Sequence, residues 1–320
     1  MTAAARVDPD KVQSILRDVA ERIVLPRFDG LAKHEIIEKA PGDLVTVADI
    51  EAEHVLTEAL SALLPGSRVV GEEAYSKSND ILDRFDTPGP VWLIDPIDGT
   101  KNFTKASETF CMMVALVENN RPVMGWIHDP IPNRTVFAAE GEGAWLDGTR
   151  LIIPDPPADS AKVGLINTWY FDEPKRSALR SAARARFGEL VSLSCAGHDF
   201  LAQTLGSRHF SFYRRLWPWD HAPGTLLIRE AGGHVAHRRC PLSGRNTRPR
   251  SVERTKQRGL DVNPRLPVAG FLIHQKNQCL FREGLNGSLY LFIDLTIDWA
   301  LIVSALLEVF LIHLNAICTA

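Results

Sequence analysis

The sequence predicts an α+β fold, in which helices pack against largely antiparallel sheet. Apolar stripes at helical spacing in residues 12–23 and about 49–64 predict two helices early in the chain. Between residues 109 and 151 the pattern changes to short strands separated by turns. Strands and helices then alternate in the second half, so both element types are expected to contribute to the core.

The two early helices have clear predicted boundaries. Asp8 is the expected N-cap of the first helix and Pro9 its first residue. The second helix is predicted over about Asp49–Leu64 and ends at Pro65-Gly66. Its expected inward-facing residues are Ala52, Val55, Leu56, Ala59, Leu60 and Leu63. Both stripes are interpreted as core.

Antiparallel strands are predicted next. Phe110–Glu118 and Pro122–His128 flank Asn119-Asn120, a dipeptide typical of tight hairpin turns. The remaining predicted strands and their turn are Arg134–Ala139, Gly143–Leu146 and Asp147-Gly148. This stretch is expected to form one sheet.

The second half of the chain mixes both element types. Strands are predicted at Lys162–Ile166 and Leu190–Leu193, around a helix near Glu173–Phe187. A later helix-like segment, Thr225–Ala231, ends at Gly232-Gly233.

Composition excludes several classes of protein. A net charge of −3 favours neither a nucleic-acid polymer nor a polyanion as partner. Five cysteines, odd in number and without metal-like spacing, favour reduced thiols and a cytoplasmic location. No signal peptide is visible at the N-terminus.

Two carboxylates, Asp95 and Asp98, follow a predicted buried strand over residues 91–94. Pro96 fixes φ between them, so the connecting loop is stiff. Two acids at one strand end repel each other, which a protein tolerates best when a hard cation lies between them. Gly99-Thr100 adds free N–H groups that suit phosphate oxygens. The motif predicts a divalent metal and a phosphate; the alternative is a polar turn after a core strand.

Further acids occur at two other predicted element ends. Gly71-Glu72-Glu73 follows the strand-like residues 67–70, and Asp220 follows Trp217-Pro218-Trp219 at the start of a helix-like segment. Alternatives are an exposed turn acid for Glu72 and a simple N-cap for Asp220.

Together these motifs resemble the inositol monophosphatase family of magnesium-dependent phosphatases. The matching segments are Asp43-Leu44-Val45-Thr46-Val47-Ala48-Asp49, Gly71-Glu72-Glu73, Asp95-Pro96-Ile97-Asp98-Gly99-Thr100 and Trp219-Asp220. The resemblance runs from about Val12 to Ala236. It implies a layered α-β-α-β-α sandwich and hydrolysis of a phosphate monoester.

The resemblance also implies a site for two or three Mg²⁺ ions. Glu72, Asp95 and the backbone carbonyl of Ile97 would hold the first ion. Asp95, Asp98 and Asp220 would hold the second, and Glu72 would share a weaker third ion through waters. Glu73 is expected to lie behind these ligands.

Catalytic and substrate-binding roles follow from the same resemblance. Glu72, Thr100 and Asp49 are the implied catalytic residues, with Thr100 helping to activate the attacking water and Asp49 hydrogen-bonded behind it. The N–H groups of Gly99 and Thr100 would hold the phosphate. The residues expected to bind substrate are Asp98, Gly99, Thr100, Asp220, Arg214 and Arg215.

The segment before Trp219-Asp220 departs from the inositol-specific members of the family. Those members carry an acid there that meets sugar hydroxyls, whereas this chain has Arg214 and Arg215. Guanidinium groups favour a second anionic group on the substrate; the alternative is that both arginines are solvated. Residues 194–199 also differ from the family's small-residue segment.

Three interpretations of function follow. The first is a Mg²⁺-dependent phosphatase acting on a small phosphorylated metabolite. The second is a 3′,5′-bisphosphate nucleotidase or a sugar bisphosphatase. The third, from another class, is a non-catalytic or membrane-tethered product dominated by its tail. A homodimer is expected by family analogy only, and the sequence determines neither the physiological substrate nor lithium sensitivity.

The predicted organisation has three parts: an N-terminal half (1–150) with the metal-binding loops, a C-terminal half (151–236) with the Trp-Asp motif, and an atypical tail (237–320). In the tail, His237–Arg258 is strongly basic, and Gly270–Ile273 is a weak candidate for a late strand. The apolar segment Trp299–Ile317 is interrupted by Glu308 and His313. A buried helix, a membrane anchor and a non-family sequence such as a shifted reading frame are the alternatives.

Overall fold

The computed structural model describes residues 4–169, 171–213, 215–239, 269–274, 280–283 and 289–292. The chain divides into two compact units, Met1–Asn277 and Gln278–Ala320. The three-part organisation expected from the sequence stays a prediction.

Seven α-helices lie in the described part of the first unit. They are α1 (Pro9–Val19), α2 (Val47–Leu63), α3 (Glu72–Lys77), α4 (Thr100–Phe103), α5 (Lys175–Arg186), α6 (Ala196–Thr204) and α7 (Pro218–Glu230). Shorter turns of 3-10 helix are Ala4–Arg6, Leu25–Arg27, Lys33–Glu35, Asn79–Asp86 and Asp159–Ala161, and a π-helical turn, Ala20–Val24, continues α1.

The start of α1 confirms the predicted cap, because the Asp8 carboxylate accepts a hydrogen bond of 3.0 Å from the Asp10 N–H. Helix α2 begins two residues earlier than predicted. Its N-cap is Thr46, which forms a capping box with Asp49. This box fixes the direction of the Asp49 carboxylate.

A hairpin of β1 (Ile36–Ala40) and β2 (Asp43–Thr46) precedes the large sheet. That sheet has seven strands in chain order. They are β3 (Arg68–Gly71), β4 (Val91–Asp98), β5 (Cys111–Glu118), β6 (Arg121–Asp129), β7 (Arg134–Ala139), β8 (Gly143–Leu146) and β9 (Thr149–Leu151). Strand β3 is parallel to β4 and all other neighbours are antiparallel.

The predicted hairpin turns are confirmed. Asn119 and Asn120 both have positive φ, at 51° and 60°, and Asp147 and Gly148 repeat the arrangement at 46° and 80°. Two successive positive φ values match the right-handed twist of the strands that they join.

Helices cover both faces of this sheet because its strands are apolar on both sides. Trp92 and Ile94 of β4 pack in one buried cluster with residues of α1 and α2. On the opposite face, Met113 of β5 packs in a second cluster with Phe200 of α6 and Leu227 of α7.

A second sheet has the order β11-β10-β12-β14-β13. Its strands are β10 (Val163–Ile166), β11 (Glu189–Leu190), β12 (Phe210–Tyr213), β13 (His234–Arg239) and β14 (Ala269–His274). Strand β14 contains the Gly270–Ile273 segment, so this weakly indicated strand is present. Helix α5 joins the parallel strands β10 and β11. The α+β sandwich implied by the resemblance is confirmed.

In the second unit the described residues form one antiparallel hairpin, β15 (Leu280–Glu283) with β16 (Leu289–Phe292). Among the residues with described positions, no helix has the length and apolarity needed to cross a membrane. The apolar segment Trp299–Ile317 lies outside the described residues, as does most of the basic segment after His237.

The start of α3 is held by a buried carboxylate that the sequence did not indicate. Glu53 of α2 accepts hydrogen bonds from the N–H groups of Glu73 (2.7 Å) and Ala74 (2.8 Å). These groups belong to the first turn of α3, where no intrahelical acceptor exists. A Cβ on Gly71 would lie 2.3 Å from the Glu53 Cδ atom, so the contact requires glycine.

We expect Gly71→Ala to lower the free energy of unfolding by about 1–3 kcal/mol, because the new methyl group would displace the Glu53 carboxylate. Urea denaturation measures this change. Gly30→Ala is the matched control, since its Cβ would have its nearest contact at 3.8 Å. Equal stability of the two variants would show that Glu53 moves aside without cost.

Candidate metal centre

Three carboxylates from three separate elements meet at one point. Asp95 lies in β4, Glu72 is the first residue of α3, and Asp220 lies in the first turn of α7. One oxygen from each lies within 4.8 Å of the others. The structure therefore brings together acids that the sequence placed at three different element ends.

Strand β4 extends further than predicted. It continues past Ile94 to Asp98, which pairs with Cys111 after a bulge that begins at Asp95. Bulges redirect side chains relative to a regular strand. The bulge therefore lets Asp95 and Asp98 serve neighbouring parts of one site.

Asp220 is not the N-cap of its helix, so this alternative is wrong. The N-cap position belongs to Trp217, and it makes no side-chain capping hydrogen bond. Asp220 is the third residue of α7, where the positive end of the helix dipole stabilises a negatively charged carboxylate. Its side chain is directed to the acidic cluster, since one of its carboxylate oxygens lies within 4.8 Å of an oxygen of Glu72 and of Asp95.

The cluster has the properties of a site for a hard cation. Asp95 is only 1% exposed, and its Oδ1 atom accepts no hydrogen bond from any described residue. Burial raises the pKa of Asp95 well above its ordinary value, and the charges of Glu72, Asp98 and Asp220 raise it further. Burial followed by the charges of Asp98 and Glu72 acts in the same way on the pKa of Asp220. An all-oxygen set of acids with an unused buried oxygen fits Mg²⁺.

Asp98 lies beside this group but is oriented partly away from it. Its Oδ2 atom accepts a hydrogen bond of 2.5 Å from the Gly197 N–H at the start of α6. The same oxygen lies 3.1 Å from the Cys195 sulfur. Asp98 is therefore positioned by the second half of the chain, an arrangement that no sequence pattern indicated.

Thr100 and Asp49 are in contact, as the resemblance implied. The Thr100 hydroxyl lies 3.1 Å from Asp49 Oδ1 and 3.0 Å from the carbonyl oxygen of Ile97. The other Asp49 oxygen accepts hydrogen bonds from the N–H (2.8 Å) and hydroxyl (2.5 Å) of Thr46. Burial raises the pKa of Asp49 to about 6, against the lowering effect of the hydrogen bonds from Thr46 and Thr100.

Gly99 turns the chain between the bulge and α4. Its φ of 89° lies in the left-handed region, and a Cβ there would also lie 3.0 Å from the Thr109 carbonyl oxygen. Both constraints require glycine. Ile97 buries its side chain in the core, so only its carbonyl oxygen is available on the side of Thr100.

Lys39 of β1 is a site residue that the sequence analysis missed. Its ammonium group lies 3.2 Å from Glu72 Oε1 and 3.0 Å from Glu73 Oε1. Burial lowers the pKa of Lys39, but the two glutamates outweigh this effect and raise it above its ordinary value. Lys39 therefore stays charged and partly neutralises the acids. The two segments are far apart in sequence, so no local motif could have indicated the contact.

The prediction that Arg214 and Arg215 bind substrate stays a prediction. Arg214 lies outside the described residues. Arg215 is exposed, and its guanidinium carbon lies 4.1 Å from the centre of the Trp217 ring. Trp217 stacks on Trp219 with ring centres 5.2 Å apart, and Tyr75 contacts both rings. Arg215 thus packs on an aromatic cluster. One member of this cluster, Trp219, directly precedes Asp220 in the sequence.

We expect metal-free protein to lose stability as the pH rises. Burial, partly offset by Lys39, raises the pKa of Glu72 from 4.5 to about 8 in the folded state. The folded protein therefore binds more protons than the unfolded chain between these values, and its free energy of unfolding falls across that range. Urea denaturation of chelator-treated protein at several pH values measures the slope.

Adding Mg²⁺ should restore the free energy of unfolding that is lost at alkaline pH. The ion is expected to bind only the folded state and so to stabilise it by mass action. Asp95→Asn should abolish this Mg²⁺ effect, whereas Asp8→Asn, at a cap remote from the cluster, should retain it. Equal stabilisation by Mg²⁺ in both variants would contradict the assignment of Asp95.

The chain matches the family model described as the inositol monophosphatase family over residues 8–269, beyond the limit near Ala236 expected from the sequence. It is 30% identical over 221 residues to an inositol-1-monophosphatase of Bacillus subtilis, covering 68% of this chain and 80% of the relative. It is 29% identical over 239 residues to the 3′(2′),5′-bisphosphate nucleotidase CysQ of Escherichia coli, covering 71% of this chain and 89% of the relative.

A similar fold is found among solved structures. One described as an IMPase/NADP phosphatase complexed with Mg²⁺ and phosphate matches with a TM-score of 0.65 and 20% identity, over 84% of this chain and 90% of the other. At this identity the match concerns the fold. With a family model that covers most of the chain, the outcome is clear: this protein belongs to the inositol monophosphatase family.

Proposed function

We propose that this protein hydrolyses a small phosphate monoester in a Mg²⁺-dependent reaction. The observation that carries the proposal is the convergence of Glu72, Asp95 and Asp220, with an unused oxygen on Asp95. Membership of a phosphatase family supports it. So does the Mg²⁺ and phosphate complex described for a protein of similar fold.

Two or three Mg²⁺ ions are proposed for the site. Glu72, Asp95 and the Ile97 carbonyl are assigned to one ion, and Asp95, Asp98 and Asp220 to another. Mg²⁺ in such a site would lower the pKa of a bound water and would neutralise charge on the phosphoryl oxygens. The number of ions and their ligands are open to direct test by crystallography with Mn²⁺.

Thr100 and Asp49 are proposed to position the nucleophilic water and receive its proton. Because the Asp49 carboxylate is fixed by two hydrogen bonds from Thr46, it can accept the Thr100 hydroxyl in only one orientation. The Thr100 oxygen then has a lone pair left for the hydrogen of a water. A carboxyl group with a pKa of about 6 accepts a proton efficiently near neutral pH.

The phosphate group is proposed to lie against the turn at Gly99. The N–H groups of Gly99 and Thr100 lie where the chain enters α4, and the first N–H groups of a helix have no acceptor within it. Lys39, which contacts Glu72 and Glu73, lowers the net negative charge of the acidic cluster. Both features favour an anionic substrate.

We expect Asp95→Asn to lower kcat/KM for phosphate monoesters by at least about 100-fold, because losing a direct metal ligand costs at least as much as losing a group that orients one.

Thr100→Val should lower kcat by about 100-fold or more, as is typical for loss of a proton-transfer group. Thr100→Ser, which keeps the hydroxyl, is the matched control and should retain most activity.

Phosphate release from inositol monophosphate, with and without chelator, is the assay for these variants. Circular dichroism and thermal melting establish that each variant is folded. Full activity of folded Asp95→Asn would refute the metal assignment. Equal loss in the Val and Ser variants of Thr100 would assign that residue a packing role.

A bisphosphate substrate is the second candidate, and the position of Arg215 favours it. An exposed guanidinium stacked on Trp217 has restricted freedom, so it loses less entropy on binding an anion than a mobile arginine does. The similarity to CysQ, a bisphosphate nucleotidase, agrees with this possibility. The sugar bisphosphatase alternative rests on the same arginine.

We expect Arg215→Gln to lower kcat/KM for adenosine 3′,5′-bisphosphate by about 10-fold or more, the effect of one hydrogen bond to a charged group. Activity on inositol monophosphate should change by less than about 2-fold, since that substrate has no second phosphate. Arg215→Lys, which keeps the charge without the planar fork, should show an intermediate loss on the bisphosphate. An equal effect on both substrates would remove the argument from Arg215.

Two further proposals concern the setting of the enzyme. A cytoplasmic location is supported by Cys111 and Cys195, which lie 3.8 Å apart as free thiols and would be expected to oxidise more readily outside a reducing compartment. A homodimer is proposed by family analogy, and light scattering coupled to size-exclusion chromatography tests it.

A further inference from the structure

Two buried thiols lie directly behind the metal centre. Cys111 of β5 and Cys195, the N-cap residue of α6, have their sulfur atoms 3.8 Å apart. Asp98 Oδ2 lies 3.8 Å from the Cys111 sulfur and 3.1 Å from the Cys195 sulfur. We propose that these three side chains form a second metal site, which binds a thiophilic divalent ion such as Zn²⁺ or Cd²⁺ and thereby inhibits the enzyme.

The spacing of the three donor atoms fits a tetrahedral ion. With Zn–S bonds of about 2.3 Å and a Zn–O bond of about 2.0 Å, a tetrahedral centre holds two sulfurs about 3.8 Å apart and each sulfur about 3.5 Å from the oxygen. The observed separations are 3.8 Å between the sulfurs, with 3.8 Å and 3.1 Å to the oxygen. An ion therefore needs only small movements of these side chains.

The chemistry of the donors separates this site from the acidic cluster. Thiolates select Zn²⁺ and other soft ions, whereas carboxylates alone select Mg²⁺. Glu72, Asp95 and Asp220 offer only oxygen, while Cys111 and Cys195 offer two sulfurs. Each ion is thus expected to find its own site, with Asp98 lying between the two.

The protein around the thiols supports a formed site. Gly197 donates its N–H to Asp98 Oδ2, so the oxygen that faces the sulfurs is already oriented, as the groups behind metal ligands usually ensure. Cys195 lies at the start of α6, where its sulfur accepts the His198 N–H at 3.5 Å, so the position of this sulfur is fixed as well. The backbone oxygen of Asp98 lies 3.5 Å from that sulfur and offers a further donor.

Inhibition follows from the shared carboxylate. An ion held by Cys111 and Cys195 would bind the Asp98 oxygen that already faces the thiols and would neutralise the carboxylate's charge. Asp98 is then less able to serve the Mg²⁺ site and the substrate. This consequence rests on the proposed phosphatase function, but binding of the soft ion does not.

The test uses the full chain with its other three cysteines replaced, as Cys240→Ser, Cys279→Ser and Cys318→Ser. The protein is reduced with a phosphine, freed of metal by chelator and supplied with excess Mg²⁺, and Cd²⁺ is then added. The ultraviolet charge-transfer band of Cd²⁺–thiolate bonds reports binding at sulfur, and equilibrium dialysis gives the stoichiometry.

We expect one Cd²⁺ per chain, with a thiolate band. Cys111→Ser and Cys195→Ser should each weaken Cd²⁺ binding by at least about 100-fold, and Cys195→Ala is the second variant should serine disturb the fold. Asp95→Asn should keep the band, because that residue contributes only to the acidic cluster. Cd²⁺ should inhibit phosphate release by the parent protein, and the cysteine variants should resist it.

Absence of a thiolate band in folded, reduced protein would overturn the proposal, as would a band that survives Cys195→Ser. A disulfide between Cys111 and Cys195 that persists in the phosphine would also overturn it, since the thiols would then serve as a redox pair. A Cd²⁺–thiolate band in a protein without phosphatase activity would instead support this site and refute the proposed function.

Discussion

Electrostatic repulsion among buried and half-buried carboxylates is the constraint on which the rest of this structure depends. Glu72, Asp95 and Asp220 approach within 4.8 Å of one another in surroundings that exclude much of the solvent. Two like charges at such a distance interact strongly when water is excluded, and the folded chain must offset that cost elsewhere. The apolar clusters on both faces of the large sheet supply the stabilisation, and a divalent ion would turn the repulsion into attraction.

The surrounding residues hold the acids without neutralising all of them. Lys39 compensates part of the charge on Glu72 and Glu73. Glu53 binds the first turn of α3 and so fixes the direction in which Glu72 points. The capping box at Thr46 does the same for Asp49. A site of this kind keeps its geometry before any ligand enters, which lowers the free energy lost to ordering on binding.

Local features were predictable from the sequence, whereas contacts between distant segments were not. The Asp8 cap, the Asn119-Asn120 turn and the acids at strand ends each depend on a few adjacent residues with strong conformational preferences. The family motif added the pairing of Thr100 with Asp49. Lys39, Glu53 and the contact of Asp98 with Gly197 depend on how separate elements pack. The end of β4 was misplaced because the bulge is set by pairing with β5.

The three carboxylates of the acidic cluster come from widely separated parts of the chain, and this has a consequence for biosynthesis. Glu72 and Asp95 are synthesised early. Asp220 is added only after all seven strands of the large sheet and three strands of the second sheet. A nascent chain that ends before α7 lacks Asp220, and its affinity for Mg²⁺ is expected to be lower. The acidic cluster is therefore complete only after α7 has been synthesised and has packed against the sheet. Unfinished chains on the ribosome are accordingly expected not to hydrolyse phosphorylated metabolites.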